Sequence, residues 1–310
     1  MALRFTLRQL EYLVAVGEAG SIAAASHKVN VSSPSISAAI SQLEVEFGVQ
    51  LFVRRHAQGL SLTPGGQRIF NEARRILHAA AALNDLAGDI TDQPRGPLTV
   101  GCLVTIAPFL SASLRRSFEG AHPDARVTLR EAHQGQLLAM LRRAEIDVAI
   151  TYDMDVPGDT SFTALVHLPP LVILPAGHRL AGNDSVALAE VVGEPLVLLD
   201  LPNSRDYFLS LFHAAGLRPN IAERTADLAV VRSLVANGFG YGLINIRPLS
   251  DVAPDGGRLA YVPLAGDHRA IALGLITMRS DLKSRVLRAF EEHAQGVIRA
   301  GGVPGMAPFR

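Results

Sequence analysis

The chain has 310 residues, of which 48% are hydrophobic and 19% charged, with 29 basic and 29 acidic side chains. This length is enough for about two domains, and the composition excludes a globally disordered chain. The single cysteine, Cys102, excludes a disulfide framework and a cysteine-rich metal site, which is typical of a reducing compartment. The N-terminus lacks an apolar signal core and no apolar run is long enough to span a bilayer, so we expect a cytoplasmic protein with no membrane partner.

Two short helices are predicted at the start of the chain. The first begins at Thr6 and ends near Gly17, because apolar side chains recur there at helical spacing. Ser21 is a good N-cap for a second, alanine-rich helix that ends near Val29. Asn30 then predicts a tight turn, since asparagine adopts the left-handed conformation more readily than most residues.

A third helix is predicted between Ser32 and Gly48, started by a serine-proline pair and ended by glycine. The apolar positions, spaced four, three and four residues apart, are expected to be buried: Ile36, Ile40, Leu43 and Phe47. The opposite face is small and polar, which suits insertion into a DNA major groove: Ser35, Ser37, Ala38, Ser41 and Gln42. The same pattern also fits an ordinary solvated face, and periodicity does not decide between the two.

Two β-prone runs after Gly48 flank a basic turn and predict a β-wing. Arg54 and Arg55 are placed to meet DNA phosphates, and His56 adds charge when it is protonated. Residues 1–78 hold eight basic and five acidic side chains, a net charge of plus three in a chain that is neutral as a whole. This local excess favours a nucleic-acid partner.

A long helix is predicted from Thr63-Pro64 onward. Its apolar residues follow steps of four and three and form a heptad seam: Ile69, Ala73, Ile76, Ala80, Leu83, Ala87 and Ile90. Such a seam needs a partner, which is either the same helix of a second subunit or the chain's own domain. Pairing of subunits, in a homodimer or homotetramer, would place two helix-turn-helix units on a two-fold symmetric operator. The proline- and glycine-rich residues 92–97 predict an interdomain linker.

The N-terminal region resembles the LysR-type transcriptional regulators. The resemblance is carried by Leu7-Arg8-Gln9-Leu10-Glu11, Gly20-Ser21-Ile22-Ala23, Ser32-Ser33-Pro34-Ser35-Ile36, Ser41-Gln42-Leu43-Glu44 and Leu51-Phe52-Val53-Arg54. It implies an all-α winged helix-turn-helix whose DNA-binding residues are Ser21, Ser33, Pro34, Ser35, Ser37, Ala38, Arg54 and Arg55. The family often has glutamine where Ser33 stands and arginine where Ala38 stands. We therefore expect direct hydrogen-bond readout to be weak, with DNA shape and thymine methyl contacts more important.

Beyond residue 98 the pattern changes to alternating strands and helices, which predicts an α/β domain with parallel strands. This order is similar to the family's effector domain, which resembles a type II periplasmic-binding-protein fold with two subdomains. The resemblance implies a winged helix-turn-helix over residues 1–63, a dimerisation helix over 64–92 and an effector-binding domain over 93–310. Subdomain I then combines about 95–166 with 270–300, and subdomain II spans about 167–269.

Polar residues follow several predicted strands of this domain. By family position, an effector pocket would be lined by Thr105, Gln134, Ser204 and Asn245. Hydroxyls, amides and helix N-termini at strand ends favour a carboxylate or another small organic anion. Any one of these residues is also explained as a plain helix cap, and only their convergence would make a site.

We therefore predict a DNA-binding transcriptional regulator whose promoter binding or activation is modulated by a small organic anion, with RNA polymerase as a candidate further partner. The alternative is an enzyme, or a cytoplasmic small-molecule-binding protein on an α/β scaffold without DNA binding. The sequence holds no zinc-protease, nucleophile-elbow or Walker motif, so no catalytic residue, metal ligand or cofactor is predicted. Gly238–Gly242 lacks the spacing of a dinucleotide loop and predicts a tight turn. Cys102 is expected to be buried and unreactive.

Overall fold

A computed structural model describes residues 4–55, 59–87, 94–279 and 283–307, and all structural statements concern these ranges. Within them, only the backbone is described for residues 55, 78 and 81–87. The predicted wing-tip charge of His56 and the predicted end of the long helix, including Ile90, lie outside the described residues. The same holds for the side chains of Arg55, Leu83 and Ala87.

Three helices form the N-terminal part, as the local signals predict: α1 (Leu7–Ala19), α2 (Ile22–Val29) and α3 (Ser33–Phe47). The Thr6 side chain accepts a hydrogen bond from the backbone N–H of Gln9, and the Ser21 side chain accepts one from Ala24. Asn30 has a φ of 53° in the turn between α2 and α3. Caps and a left-handed turn residue are short-range features, which is why the sequence was sufficient to predict these boundaries.

The core of these helices is apolar and closed to solvent. Leu10, Leu13, Val16, Ile36 and Leu43 are at most 1% exposed. Each fully buried side chain of this size contributes about 1.5–3 kcal/mol relative to exposure. The predicted core positions of α3 are confirmed at Ile36, Ile40 and Leu43, whereas Phe47 is half-buried.

The wing consists of β1 (Phe52–Arg55) and β2 (Gly59–Leu62), which pair antiparallel. It is followed by the long helix α4 (Pro64–Ala87). The Thr63 hydroxyl joins the two, because it donates to the Gln50 carbonyl at 2.6 Å and accepts from the Gly66 N–H at 2.8 Å. The first turn of α4 is therefore hydrogen-bonded, through Thr63, to the segment that precedes β1.

The heptad seam of α4 is divided between two environments. Ala73 is 1% exposed and Ile69 is partly buried, and both pack on the helix-turn-helix core. Phe70, which lies outside the seam, is 5% exposed. Ile76 is 40% exposed. Of the two partners that the sequence left open, Ile69 and Ala73 contact the chain's own domain, because this part of α4 packs on the helix-turn-helix core.

Two five-stranded sheets form the C-terminal part. The strands are β3 (Gly96–Leu103), β4 (Ala125–Ala132), β5 (Val148–Tyr152), β6 (Thr160–Leu168), β7 (Leu171–Pro175), β8 (Pro195–Leu199), β9 (Asn220–Thr225), β10 (Tyr241–Ile244), β11 (Leu259–Pro263) and β12 (Ile271–Met278). One sheet has the order β4-β3-β5-β12-β6 and the other β9-β8-β10-β7-β11. In each, the first three strands are parallel and the last two run antiparallel to their neighbours. The fold class is the predicted one, with a mixed rather than purely parallel sheet in each subdomain.

The helices of this part cover the two sheets: α5 (Ala107–Ala121), α6 (Gln134–Arg142), α7 (Leu188–Val191), α8 (Pro202–Ala214), α9 (Leu228–Ala236) and α10 (Arg285–Gly301). The chain passes from the first sheet to the second between Leu168 and Leu171, and it returns between Pro263 and Ile271. The predicted linker over 92–97 is too long, since Gly96 already pairs with Ala125. The exact domain limits of 1–63, 64–92 and 93–310 stay predictions. None of the described helices has the length and apolar character needed to cross a lipid bilayer.

Candidate DNA-binding face and effector cavity

The side of α3 that points away from the core is open to solvent. Pro34, Ser35, Ser37 and Ala38 are exposed and Ser33 is half-buried. The hydroxyl of Ser35 lies 2.7 Å from that of Ser32, the N-cap residue of α3. This predicted groove-facing surface is thus small, polar and not covered by other described parts of the chain.

The Ser21 side chain stabilises the start of α2. Its hydroxyl accepts a hydrogen bond from the Ala24 N–H at 3.1 Å and so caps α2. The side chain is half-buried. The side-chain oxygen is already an acceptor at the helix end, and the hydroxyl proton stays available for a DNA phosphate.

Arg54 is exposed on β1, opposite Leu60 of β2, and forms no ion pair with any described residue. Its guanidinium is therefore free to bind a phosphate oxygen. The backbone of Arg55 continues the same strand toward the wing tip.

The positive excess of the N-terminal region is distributed unevenly. Lys28 lies 2.6 Å from Glu18, and Arg74 lies 3.6 Å from the same carboxylate. Arg75 is 3.0 Å from Glu72. These charges are partly neutralised within the chain. The basic side chains that form no ion pair with any described residue are Arg4, Arg8, Arg54 and Arg68.

Gln42 belongs to the predicted groove-facing side of α3 but is not among the DNA-binding residues that the family resemblance implies. It follows Ala38 by one helical turn, is exposed, and accepts a hydrogen bond at 2.8 Å from the Gln9 side chain of α1. The spacing of four residues between Ala38 and Gln42 indicated that both lie on the same face of α3, because residues four apart share a helix face. The contact with Gln9 has no local signal, since 33 residues separate the two.

A cavity of about 380 Å³ lies between the two subdomains. Its lining includes Thr105, Gln134, Tyr152, Met154 and Ser204. Small-molecule sites have volumes of about 300–1,000 Å³, so this cavity is at the small end of the range. Three of the four predicted effector residues, Thr105, Gln134 and Ser204, therefore meet at one place.

Asn245 lies behind that cavity rather than in it. It lines an adjoining hollow of only about 10 Å³, together with Thr105, Tyr152 and Ser204. Its side-chain nitrogen donates to the Leu168 carbonyl at 2.9 Å and to the Tyr207 hydroxyl at 3.4 Å. The amide protons of Asn245 are thus used by the protein itself.

Gln134 is also held by its surroundings. Its Oε1 accepts from the Thr151 hydroxyl at 3.1 Å, and its Nε2 donates to the Met154 carbonyl. The residue is 5% exposed and is the first residue of α6. Because the side-chain amide of Gln134 is already hydrogen-bonded, the group that remains to donate to a ligand is its backbone N–H at the helix N-terminus.

The starts of two helices border the cavity, together with a residue just before a third. Thr105 lies two residues before α5, Gln134 begins α6, and Ser204 belongs to the first turn of α8. The Thr105 hydroxyl is buried and makes no hydrogen bond of good geometry with any described atom. Among the described residues that line the cavity there is no aspartate, glutamate, lysine or arginine. The helix N-termini make the site electropositive, which favours a small anion, and the lining also includes His133.

The buried groups beside the cavity are held in their neutral forms. Burial raises the pKa of the Tyr152 hydroxyl, and the nearby Thr105 hydroxyl opposes that rise. Burial, together with the charge of Glu131, raises the pKa of the Cys102 thiol. Cys102 is 0% exposed. A thiolate is therefore disfavoured there, and within the described ranges no cluster of three or more metal-ligating side chains occurs.

Two family models match the chain. The bacterial regulatory helix-turn-helix protein of the lysR family matches residues 7–67, and the LysR substrate binding domain matches residues 91–299. The solved structure of HinK, a LysR family transcriptional regulator from Pseudomonas aeruginosa, is 35% identical with a TM-score of 0.65, and the match covers 95% of this chain and 98% of that one. Full-length CbnR, solved in complex with its target DNA, is 25% identical with a TM-score of 0.56, and the match covers 94% of this chain and 99% of that one.

Among curated proteins, the DNA-binding transcriptional dual regulator OxyR of Escherichia coli is 28% identical over 295 residues, which cover 94% of each chain. The matching family models span both parts of the chain, and the relatives are regulators rather than enzymes. The alternatives of an enzyme, or of a binding protein without DNA contact, are thereby excluded. This chain belongs to the LysR family of transcriptional regulators, with a DNA-binding winged helix-turn-helix and an effector-binding domain.

Proposed function

We propose that this regulator binds a two-fold symmetric promoter as a homodimer or homotetramer and responds to a small organic anion in the cavity between its subdomains. The observation that carries the effector assignment is the convergence of the N-termini of α6 and α8 on a cavity that also contains the buried Thr105 hydroxyl. The contacts to DNA are assigned to Ser33, Pro34, Ser37 and Ala38 of α3 and to Arg54, with support from Ser21, Ser35 and Arg55. The protein acts in the cytoplasm, where bacterial promoter DNA lies.

The assignment of Arg54 rests on its exposure and its lack of an ion pair among the described residues. An arginine that binds one phosphate releases condensed counterions, so removing it lowers the slope of log K against log salt by about 0.9. Arg54→Ala should show this change on a duplex selected from random DNA, with base preference unaltered. Arg116→Ala is the matched control, because Arg116 is also exposed but belongs to α5 of the effector domain. An unchanged salt slope in Arg54→Ala would remove Arg54 from the interface.

The effector assignment is tested with the full chain. A ligand present at 100 times its Kd stabilises the folded state by about 2.7 kcal/mol, which a thermal-shift screen of benzoate, acetate, succinate and similar acids detects. Thr105→Val removes the hydroxyl while keeping the size of the side chain, and Thr105→Ser retains the hydroxyl. We expect the shift to be reduced in Thr105→Val and in Ser204→Ala and retained in Thr105→Ser, with DNA affinity intact in all three. Loss of operator binding instead would contradict the assignment.

Regulation requires that the effector binds one arrangement of the molecule better than another. The cavity lies between the two subdomains, so a bound anion that contacts both Thr105 and Ser204 favours the arrangement in which they are close. We propose that this shift changes the relative placement of the paired helix-turn-helix units, the bending of the DNA and the contact with RNA polymerase.

Peroxide sensing is a second candidate, because several relatives are named hydrogen peroxide-inducible genes activators. Oxidation by peroxide requires an accessible thiolate. The single cysteine of this chain is fully buried and has a raised pKa. We therefore favour an organic anion as the signal over peroxide.

A further inference from the structure

A directed relay of hydrogen bonds connects the start of α1 with the exposed face of α3. The backbone N–H of Thr6 donates to Oε1 of Gln9 at 2.8 Å. Nε2 of Gln9 then donates to Oε1 of Gln42 at 2.8 Å. The first bond is half of the capping box that begins α1, and the last residue lies on the surface predicted to enter the DNA groove.

Chemistry fixes the direction of this relay. The two ends of a glutamine amide are hard to tell apart by shape alone, and their assignment rests on the hydrogen-bond partners. A backbone N–H can only donate, so the end of Gln9 that faces Thr6 is its oxygen. The other end of Gln9 is then its NH₂ group, which can only donate, so the end of Gln42 that faces it is the oxygen. The NH₂ group of Gln42 is therefore the end left for an external partner.

Gln42 is also the long side chain of that surface. It lies on one stripe with Ser35 and Ala38, at spacings of seven and four residues, and all three are exposed. Serine and alanine reach a base edge only where the helix is very close to it. Gln42 has three rotatable bonds and extends further, so it is able to make the direct contact that Ser33 and Ala38 were expected to lack.

We propose that Gln42 reads a base-edge acceptor with its NH₂ group, and that Gln9 is a positioning residue that sets this orientation. In the major groove, guanine presents the acceptors O6 and N7, thymine presents the acceptor O4, adenine presents the acceptor N7 beside a donor at N6, and cytosine presents only a donor at N4. The relay thus selects guanine or thymine over cytosine at one position in each half-site. This inference rests on the proposed entry of α3 into the major groove.

The variant Gln9→Glu tests the direction of the relay. Glutamate still accepts from the Thr6 N–H, and threonine followed three residues later by glutamate is a good capping box, so the start of α1 is preserved. A carboxylate cannot donate to Gln42, however. The Gln42 amide then turns its NH₂ group toward the introduced carboxylate and presents its oxygen to the DNA. The preferred base at the contacted position should change from guanine or thymine to cytosine.

The measurement begins with selection of duplexes from random DNA by the full-length wild type. The affinities of the four base variants at each position are then determined by fluorescence anisotropy for wild type and variants. One net hydrogen bond corresponds to a preference of about fivefold. We expect that preference for guanine or thymine in the wild type, its reversal in Gln9→Glu, and its loss in Gln42→Ala. Gln9→Met neither donates nor accepts, so it should flatten the preference without reversing it.

Gln42→Glu provides a second route that leaves Gln9 intact. A carboxylate accepts from Nε2 of Gln9 and presents only acceptor atoms to the DNA, so it should also prefer cytosine. Thermal unfolding establishes that each variant is folded. An unchanged preference in both Gln9→Glu and Gln42→Glu, or an equal loss of affinity for all sequences, would overturn the proposal and leave Gln9 as a helix cap only. Failure of the proposed function is a different result, namely wild-type protein that selects no sequence at all.

Discussion

Asn245 is expected to stabilise the junction between the two subdomains rather than to bind the effector directly. Its side chain donates to the Leu168 carbonyl, at the first passage of the chain between the sheets. It also donates to the hydroxyl of Tyr207, which in turn donates to the Arg269 carbonyl at 2.7 Å, at the return passage. Asn245 is 5% exposed and Tyr207 is 8% exposed. The two side chains thus hold both connections between the subdomains from within subdomain II.

The substitution Asn245→Leu keeps the number of heavy atoms in the side chain and removes both amide protons. It leaves the Leu168 carbonyl without its side-chain donor in a buried place, which costs about 1–3 kcal/mol in the free energy of unfolding. Tyr207→Phe removes the donor to the Arg269 carbonyl at a similar cost, about 1–3 kcal/mol. Because the two residues share a hydrogen bond, the double variant should lose about 0.5–1 kcal/mol less than the sum of the single variants.

The chain contains no tryptophan, so urea unfolding is best followed by far-ultraviolet circular dichroism. The matched control is Asn220→Leu, the same substitution at an exposed residue of β9, which should change stability by no more than about 0.5 kcal/mol. DNA affinity should be unaffected in all variants, because both residues belong to the effector domain. The reasoning would be refuted if Asn245→Leu changed the free energy of unfolding no more than Asn220→Leu does, or if the changes for Asn245→Leu and Tyr207→Phe were strictly additive in the double variant.

Three further predictions concern stability and reactivity. Gly66→Ala should destabilise the N-terminal part by about 1–3 kcal/mol, because the added Cβ would overlap the backbone oxygen of Leu51. Gly296→Ala, at a helical position with nothing within 4 Å, should instead raise the thermal midpoint in the same assay. Cys102 should react with iodoacetamide only after denaturation, and rapid labelling of native protein would show that it is not buried. Burial and a neighbouring histidine lower the pKa of His293 from 6.5 in the folded protein, so the unfolded chain binds the proton at a higher pH than the folded one. The contribution of His293 to the free energy of unfolding should therefore be complete above pH 6.5 and decrease below it. His293→Gln should reduce this decrease in acid unfolding curves.

Much of the N-terminal architecture could be predicted from the sequence because its signals are local. Ser21 caps α2, Asn30 makes the left-handed turn and Gly48 ends α3 as the sequence indicated. These effects act within one helical turn, and the neighbouring residues alone determine them. The strand and helix order of the effector domain is also visible in the alternation of apolar runs.

The helix α4 shows where a local pattern was insufficient. Its heptad seam correctly indicated an amphipathic helix, but Ala73 and Ile69 pack on the chain's own core and Ile76 is exposed. Phe70 lies outside the seam and is nevertheless buried. A periodic stripe states that one side of a helix is apolar, and it does not state which neighbour covers each turn.

The sequence by itself determined the elements, their caps and the residue types at the ends of strands. The tertiary structure alone decided that Thr105, Gln134 and Ser204 meet at one cavity, and that Asn245 lines the adjoining hollow while its amide donates to the Leu168 carbonyl. It also decided the partner of Gln42, which lies 33 residues away in the chain. Such contacts depend on how complete elements pack, because a side chain's hydrogen bonds are settled by the atoms that packing places within about 3 Å of it and not by its neighbours in sequence.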